Sequence, residues 1–454
     1  MFPLILFPYM TRTLGPAGYG VLGYYESLLS VIVVWAAFGV PYYGLRLLSK
    51  TNIGDANQSN AVLHLLLINF CMALVGLVGY LVYVLLKPMQ IGPWQVTALY
   101  GFIILVYMFH ADWYFQSQEQ YAFLVKRTFY LRLYVLVSSV LLVHSEQHLM
   151  RYVVISAINY ALIALSAGWQ LRTLFKYWRW DPPLFKTLLK ALWPFALLGL
   201  LGAVYISLDT ILLARLGQVV ALGHYSVAAK IVRLGLNVFI AASIVFFVRL
   251  FRTEVDKSLQ ADSLLLTLHL SIPIGALLFF FAEPVIRFVS GDHYLPAVSI
   301  LQWFSLLWVI VPFHDFFNIQ VLMVHHREKA LVYLYGAACI MSLVLNLVLV
   351  SYWFTLGAVW AILITETFVL AAGIWLSRGY FNLSRGILLQ LASCLLIFPV
   401  AAGVRYLTGK YQWPPVVELT IGITVSLLVY AAIQWWLLKN SFWKKLAAAA
   451  SRRA

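Results

Sequence analysis

Four polar residues, Ser226, Lys230, Arg233 and Asn237, recur at spacings of four, three and four in the stretch SVAAKIVRLGLN. On a helix that spacing puts them on one face. Arg supplies a planar fork of donors and Lys a point charge, so the pair suits a phosphate. The flanking residues are apolar over a length that crosses a bilayer, and a charge near mid-membrane costs roughly 2.5–3.5 kcal/mol on insertion scales. Two such cations facing lipid exceed what a marginally stable fold tolerates, so they must meet water, an acid or a phosphate. Two structural alternatives stay open. The cations pair with Asp209 or Glu366, or they lie shallow enough for their heads to reach the interface.

Other ionisable residues sit in apolar surroundings. Asp209, central in YISLDTILLA, is a candidate proton or cation site, or a partner for Lys230. Glu366 in ILITETF offers the same chemistry, or helix packing through hydrogen bonds. Glu26 lies just inside the second apolar segment, as a cavity-facing or an interfacial acid. Arg12 and Arg215 each stand shortly before a Leu-Gly turn, LGPAGYGVLGYYES and LGQVVALGHYSVA. They read as interfacial anchors or as paired cations flanking the exit of a cavity. Asp112 and Trp113 end the fourth segment, as part of an entry gate or as a helix-end charge beside an interfacial Trp. His314, Asp315 and Asn318 form a polar patch in the tenth segment, a second coupling site or a buried polar network. The adjacent His325 and His326 point to different helix faces and have no acid at i+4, so they are not read as metal ligands. The sequence has no metal-ligand cluster, no nucleophile with a spaced base and no Gly-rich phosphate loop followed by Lys-Ser/Thr. No catalytic residue, metal or cofactor is expected, and the chain is not read as an enzyme.

The elements that position these residues must be membrane helices. Hydrophobic residues make up 63% of the 454, charged residues only 10%, and the mean hydropathy is +0.89. No soluble fold hides that much apolar surface. Fourteen apolar segments can be read: 1–14, 20–45, 61–86, 94–116, 122–143, 149–173, 191–214, 221–248, 262–289, 297–324, 329–352, 355–377, 387–408 and 416–438. Most approach the length of a helical span and exceed the strand of an outer-membrane barrel; 1–14 is shorter than a span. With the N-terminus in the cytoplasm, the cytoplasmic loops and tail hold 22 of the 31 Lys and Arg and the opposite side holds 7. The net charge of +15 is therefore mostly topological, it places both termini in the cytoplasm, and no nucleic-acid partner is expected. Cys71, Cys339 and Cys394 lie in apolar segments and read as reduced packing residues.

The two Leu-Gly turns follow the first and seventh segments on the same side of the membrane. The chain thus reads as two parallel six-helix bundles, 1–180 and 181–378, followed at 379–454 by two additional helices and a basic tail. Parallel repeats of this kind are a transporter architecture with the substrate site between the halves.

Four stretches resemble one family. FPYMTRTLGPAGYGVLGYYESL, DWYFQSQEQY, ISLDTILLARLGQVVALGHYSVAAKIV and NLVLVSYWFTLGAVWAILITE are similar, in order and spacing, to the O-antigen and polysaccharide flippases of the Wzx type, relatives of the MATE exporters. The resemblance implies a MATE-like protein of the bacterial inner membrane. Such a protein moves an undecaprenyl-pyrophosphate-linked oligosaccharide between leaflets, alongside a polymerase and a chain-length regulator. With such a cargo, Lys230 and Arg233 are read as holding the pyrophosphate and Arg12 and Arg215 as meeting the pyrophosphate or an acidic sugar at the exit, while the halves alternate access and the lipid tail stays in the bilayer. Two other readings compete. A MATE-like ion-coupled exporter of small cations would present carboxylates to its cavity, against which Lys230 and Arg233 argue. A membrane polymerase or ligase would carry a large periplasmic loop, and the outer loops here are short.

Overall fold

The computed structural model describes residues 2–48, 56–86, 91–215, 218–252, 257–382, 384–411, 413–438 and Trp443. Lys50, Lys87, Leu216, Gly217 and the tail cations Lys439, Lys444, Lys445, Arg452 and Arg453 lie outside them, as do the side chains of Asn237, Arg249, Arg252 and Lys257. The described residues are helical, without strands, and form two compact units, Met1–Gly223 and His224–Ala454. Eleven helical stretches are long and apolar enough to cross a membrane. The chain is a multi-pass membrane protein.

The first unit contains α1 (Phe2–Ala37), α2 (Val40–Leu48), α3 (Ala56–Leu86), α4 (Trp94–Tyr107), α5 (Asp112–Ser117), α6 (Tyr121–Leu142), α7 (Leu149–Leu171) and α8 (Pro182–Arg215). Helix α1 is one helix only in name. Gly15 sits at φ 63° and ψ 178°, followed by Pro16, so the chain breaks where the sequence separates its first two segments. A core of Phe38, Val40, Leu65, Trp113 and Leu192 joins α2, α3, α5 and α8. Short polar contacts tie the helices across the unit. Ser30 and Ser207 share a hydrogen bond of 2.7 Å between α1 and α8, and the Tyr25 hydroxyl meets the Thr97 hydroxyl at 2.6 Å.

The two Leu-Gly turns are packed against each other within this unit. A Cβ on Gly223 would overlap the Pro16 carbonyl oxygen and lie 2.7 Å from its carbon. A Cβ on Gly20 would overlap the Val219 carbonyl oxygen and lie 3.0 Å from the Gly223 nitrogen. Each turn thus supplies the bare glycine against which the other's backbone rests, as small residues do where membrane helices approach closely. Gly223→Ala should therefore destabilise the protein by about 1–3 kcal/mol through overpacking of main chain. Gly202→Ala on α8, where a Cβ meets no atom within 4 Å, should be neutral. Thermal unfolding of the detergent-solubilised protein, followed by size-exclusion fluorescence, measures both. Equal midpoints for the two variants would refute the close packing.

The second unit continues α9 (Val219–Arg252) and holds α10 (Lys257–Phe280), α11 (Ala282–Ser290), α12 (Ala297–Phe304), α13 (Leu307–Asp315), α14 (Glu328–Ser377), α15 (Arg385–Cys394), α16 (Ile397–Thr408) and α17 (Pro415–Ala432). Helix α10 is its centre. Leu264, Leu268, Ile272 and Ala276 recur every four residues and are fully buried against Phe316, Phe317, Ile397 and Tyr430. Two of its polar residues bond to one partner: Gln260 donates to the Gln320 carbonyl at 2.9 Å, and the Ser263 hydroxyl to the Gln320 side chain at 2.6 Å. Helix α14 reverses at Phe354, held at φ 50°, ψ −123°. Gly357 packs so tightly on Leu349 that a Cβ would lie 2.8 Å from the Val350 nitrogen. A straight helix would separate residues eight apart by about 12 Å, so the chain doubles back there. An ion cluster of Glu283, Arg405 and Glu418 joins α11, α16 and α17, with Arg405 bound to both acids.

Candidate functional site

Helix α9 is mostly buried near its start, with Val227 and Ala228 fully buried. Tyr225, Ala229, Val232 and Leu236 are buried and recur at helical spacing. Tyr225 meets the Phe304 ring at a centroid distance of 5.3 Å, and Gly235 admits the Trp308 ring so closely that a Cβ would overlap it. Ser226, Lys230 and Arg233 lie together beside that packed stripe, each half-buried. The structure thus places the two cations on one face, as the spacing predicts. They stand three residues apart on the helix, about one turn, and a Lys–Arg pair at that spacing suits two oxygens of a phosphate or pyrophosphate.

A second group of charges assembles in the same unit. His314 and Asp315 close α13, whose Pro312 leads into a π-helical segment, Phe316–Met323. Glu366 reaches them from the second arm of α14. The His314 Nε2 lies 3.0 Å from a Glu366 carboxylate oxygen, and its Nδ1 lies 3.4 Å from Asp315. All three side chains are at most 14% exposed. The Asn318 amide donates to the Tyr335 hydroxyl at 3.2 Å, while its Oδ1, fully buried, accepts no hydrogen bond. A histidine between two carboxylates inside a membrane protein can hold or pass a proton, and single-turn π segments concentrate at functional sites. The polar patch expected at His314, Asp315 and Asn318 and the isolated acid expected at Glu366 are therefore one cluster.

The remaining candidates fall in the first unit. Asp209 is 1% exposed on α8, and one carboxylate oxygen accepts the Thr210 N–H at 2.7 Å and its hydroxyl at 3.3 Å. Glu26 is exposed on α1, within electrostatic range of Tyr100 and Tyr160. Arg12 is exposed shortly before the Gly15 break, and Arg215 is exposed at the end of α8. Asp112 opens α5 and accepts from Arg127 at 2.7 Å through both oxygens, with His110 at 3.6 Å. Arg127, one of the 22 cations counted on the cytoplasmic side, has a side chain only 7% exposed. Trp113 is 2% exposed and lies in the core against Gly44, where a Cβ would come within 2.7 Å of the indole. Its ring is part of the packed core of this unit.

A family model described as polysaccharide biosynthesis protein matches residues 1–254, which is more than half of the 454 and spans the Leu-Gly turns, Asp209, Lys230 and Arg233. The chain belongs to the polysaccharide biosynthesis protein family. The family resemblance is thereby borne out, and three of the four quoted stretches fall within the matched residues. No curated protein matches it at a significant level. Among solved structures, one titled "Lipid II flippase MurJ, inward closed conformation" superposes with a TM-score of 0.71 at 13% identity, covering 97% of this chain and 100% of that one. The family member therefore has the fold of that flippase over nearly its whole length. The all-helical fold class read from the sequence is borne out; among the described residues eleven helical stretches are candidate spans, two of which contain the breaks at Gly15 and Phe354, so the count of fourteen is not fixed by them.

Proposed function

We propose that this protein moves a lipid-linked oligosaccharide, an O-antigen or other polysaccharide repeat unit on an undecaprenyl-pyrophosphate carrier, across a bacterial inner membrane. The observation that carries the reading is the pair Lys230 and Arg233, half-buried on one face of a helix in a membrane protein of a polysaccharide biosynthesis family. A pyrophosphate head explains why two cations stand where a bilayer penalises them. In this reading Arg12 and Arg215 meet the head as it leaves, Asp112 and Trp113 belong to the entry side, and the protein alternates access to the two leaflets. Both termini are cytoplasmic, as the Lys and Arg distribution favours, and a polymerase and chain-length regulator take the delivered unit. The Glu366–His314–Asp315 cluster is the proposed seat of ion coupling, with Asp209 and Glu26 as further acids on the path. The solved structure that shares this fold is itself titled a lipid II flippase, which favours a lipid-linked cargo over a small cation.

Deleting the gene should trap the lipid-linked repeat unit on the cytoplasmic leaflet of membrane vesicles, where a membrane-impermeant glycosidase applied from that side digests it. The complemented strain should expose the unit on the opposite leaflet. Full exposure on the opposite leaflet in the deletion strain would overturn the proposal.

A further inference from the structure

The segment that leads from α7 to α8 carries more chemistry than a connection needs. Residues Arg172–Tyr177 form a short 3-10 helix, and Arg172, Lys176 and Arg179 are all exposed. Aromatic rings stand among them: Trp169 is 65% exposed, Phe175 61% and Trp180 57%. The Arg172 guanidinium lies over the Trp169 ring at 3.8 Å and the Lys176 ammonium over Tyr177 at 4.8 Å. Mixed rings and cations of this kind mark the depth of the lipid headgroups.

Phe175 and Trp178 of this segment also line a half-open cavity of about 300 Å³. Its walls are apolar throughout and come from four elements, with Leu63 and Leu66 on α3, Phe109 just after α4, Gly168 on α7, and Phe175 and Trp178 from the connecting segment. A Cβ on Gly168 would meet no heavy atom within 4 Å, so this glycine leaves open space and not a tight helix contact. The wall is held in place. His64, fully buried on α3, stacks on Trp178 at 5.0 Å and on Trp180 at 5.6 Å. The His64 Nδ1 lies 2.9 Å from the Asn60 carbonyl oxygen, and its Nε2 accepts the Asp181 N–H at 3.2 Å. The Arg179 N–H donates to the Asn60 side chain at 3.0 Å.

An apolar slot with an aromatic wall, borne on a segment that also carries three exposed cations, matches an amphiphile that has an acyl chain and a negative head. We propose that this cavity binds an anionic phospholipid, with one acyl chain in the slot and its phosphate among Arg172, Lys176 and Arg179. Among anionic amphiphiles phospholipids are the bulk component of the surrounding leaflet, so mass action favours them at a site open to that leaflet. The site lies wholly within the first unit, involves neither Lys230 nor the His314 cluster, and does not depend on the identity of the transported cargo.

The test uses the full chain in nanodiscs containing phosphatidylglycerol or phosphatidylcholine, each with a photoreactive diazirine in one acyl chain. Phosphatidylglycerol should label peptides covering residues 63–70 and 168–178 about tenfold more than phosphatidylcholine does, a ratio of the size expected from a few cations at the surface. Arg172→Gln with Lys176→Gln and Arg179→Gln should bring that ratio to about one, because Coulomb attraction to the head is lost while the slot remains. Gly168→Trp should fill the slot and lower labelling by both lipids. The three Gln changes are on exposed side chains, so they decide the question even if the Trp variant fails to fold. Equal labelling by the two lipids in the unaltered protein would overturn the proposal, as would label elsewhere on the chain. Displacement of the label by undecaprenyl pyrophosphate but not by unlabelled phosphatidylglycerol would assign the slot to the cargo and equally overturn it.

Discussion

Lys230→Ala combined with Arg233→Ala should abolish export of the polysaccharide while the protein remains folded and inserted. The two outcomes together are what distinguish cargo binding from a structural role. A charge near the bilayer centre is unfavourable by roughly 2.5–3.5 kcal/mol on insertion scales, so removing two cations should leave thermal stability unchanged or raise it. If the pair instead served to neutralise buried acids, the same change would strand those acids and lower stability by several kcal/mol. Lys230 and Arg233 also differ in what they offer. Arg233→Lys keeps the charge and loses the planar fork that meets two oxygens at once, so it should retain partial export. Surface polysaccharide measured by gel staining, beside a size-exclusion melting curve, reads both quantities. Normal polysaccharide in the double variant would remove the proposed head-group site. A sharp loss of stability would convert the pair into a structural one.

Local features of the sequence carried through to the fold, and distant ones did not. The break between the first two apolar segments was legible because Gly15 and Pro16 announce it, and Gly15 adopts the positive φ that only glycine takes without strain. The reversal between residues 352 and 355 was legible from segment length alone; nothing in the residue type announces that Phe354 takes φ 50° there. The face shared by Ser226, Lys230 and Arg233 needed only helical periodicity. By contrast, Arg127 reads as one more cytoplasmic cation until folding brings it against Asp112. Trp113 sits beside a helix-end charge, and nothing in that setting announces that its ring packs against Gly44. The repeated Leu-Gly turns were visible as a repeat. Their mutual contact was not, because a glycine's bare Cα looks the same in sequence whether it serves a turn, a kink or a close approach.

The largest effect on the second unit should come from His314. His314 and Asp315 stand on α13 and Glu366 on the far arm of α14, so no sequence spacing joins them, yet the imidazole lies 3.0 Å from one carboxylate and 3.4 Å from the other. His314→Leu leaves Glu366 and Asp315 facing each other in a low-dielectric interior without the ring between them. Breaking a buried pair from one side costs about 3–5 kcal/mol, and Glu366→Leu should do comparable damage by removing the nearer carboxylate from His314. The double variant removes the ring and its nearer partner together, so its loss should fall short of the sum by about 0.5–3 kcal/mol, the range seen for groups in contact. A sum that is strictly additive would mean that the two side chains do not interact. The same double variant also separates packing from coupling. If the cluster only holds α13 to α14, a folded double variant should still export polysaccharide. If it carries the coupling proton or cation, the folded protein should be inactive, and restoring stability elsewhere on the chain should not revive it.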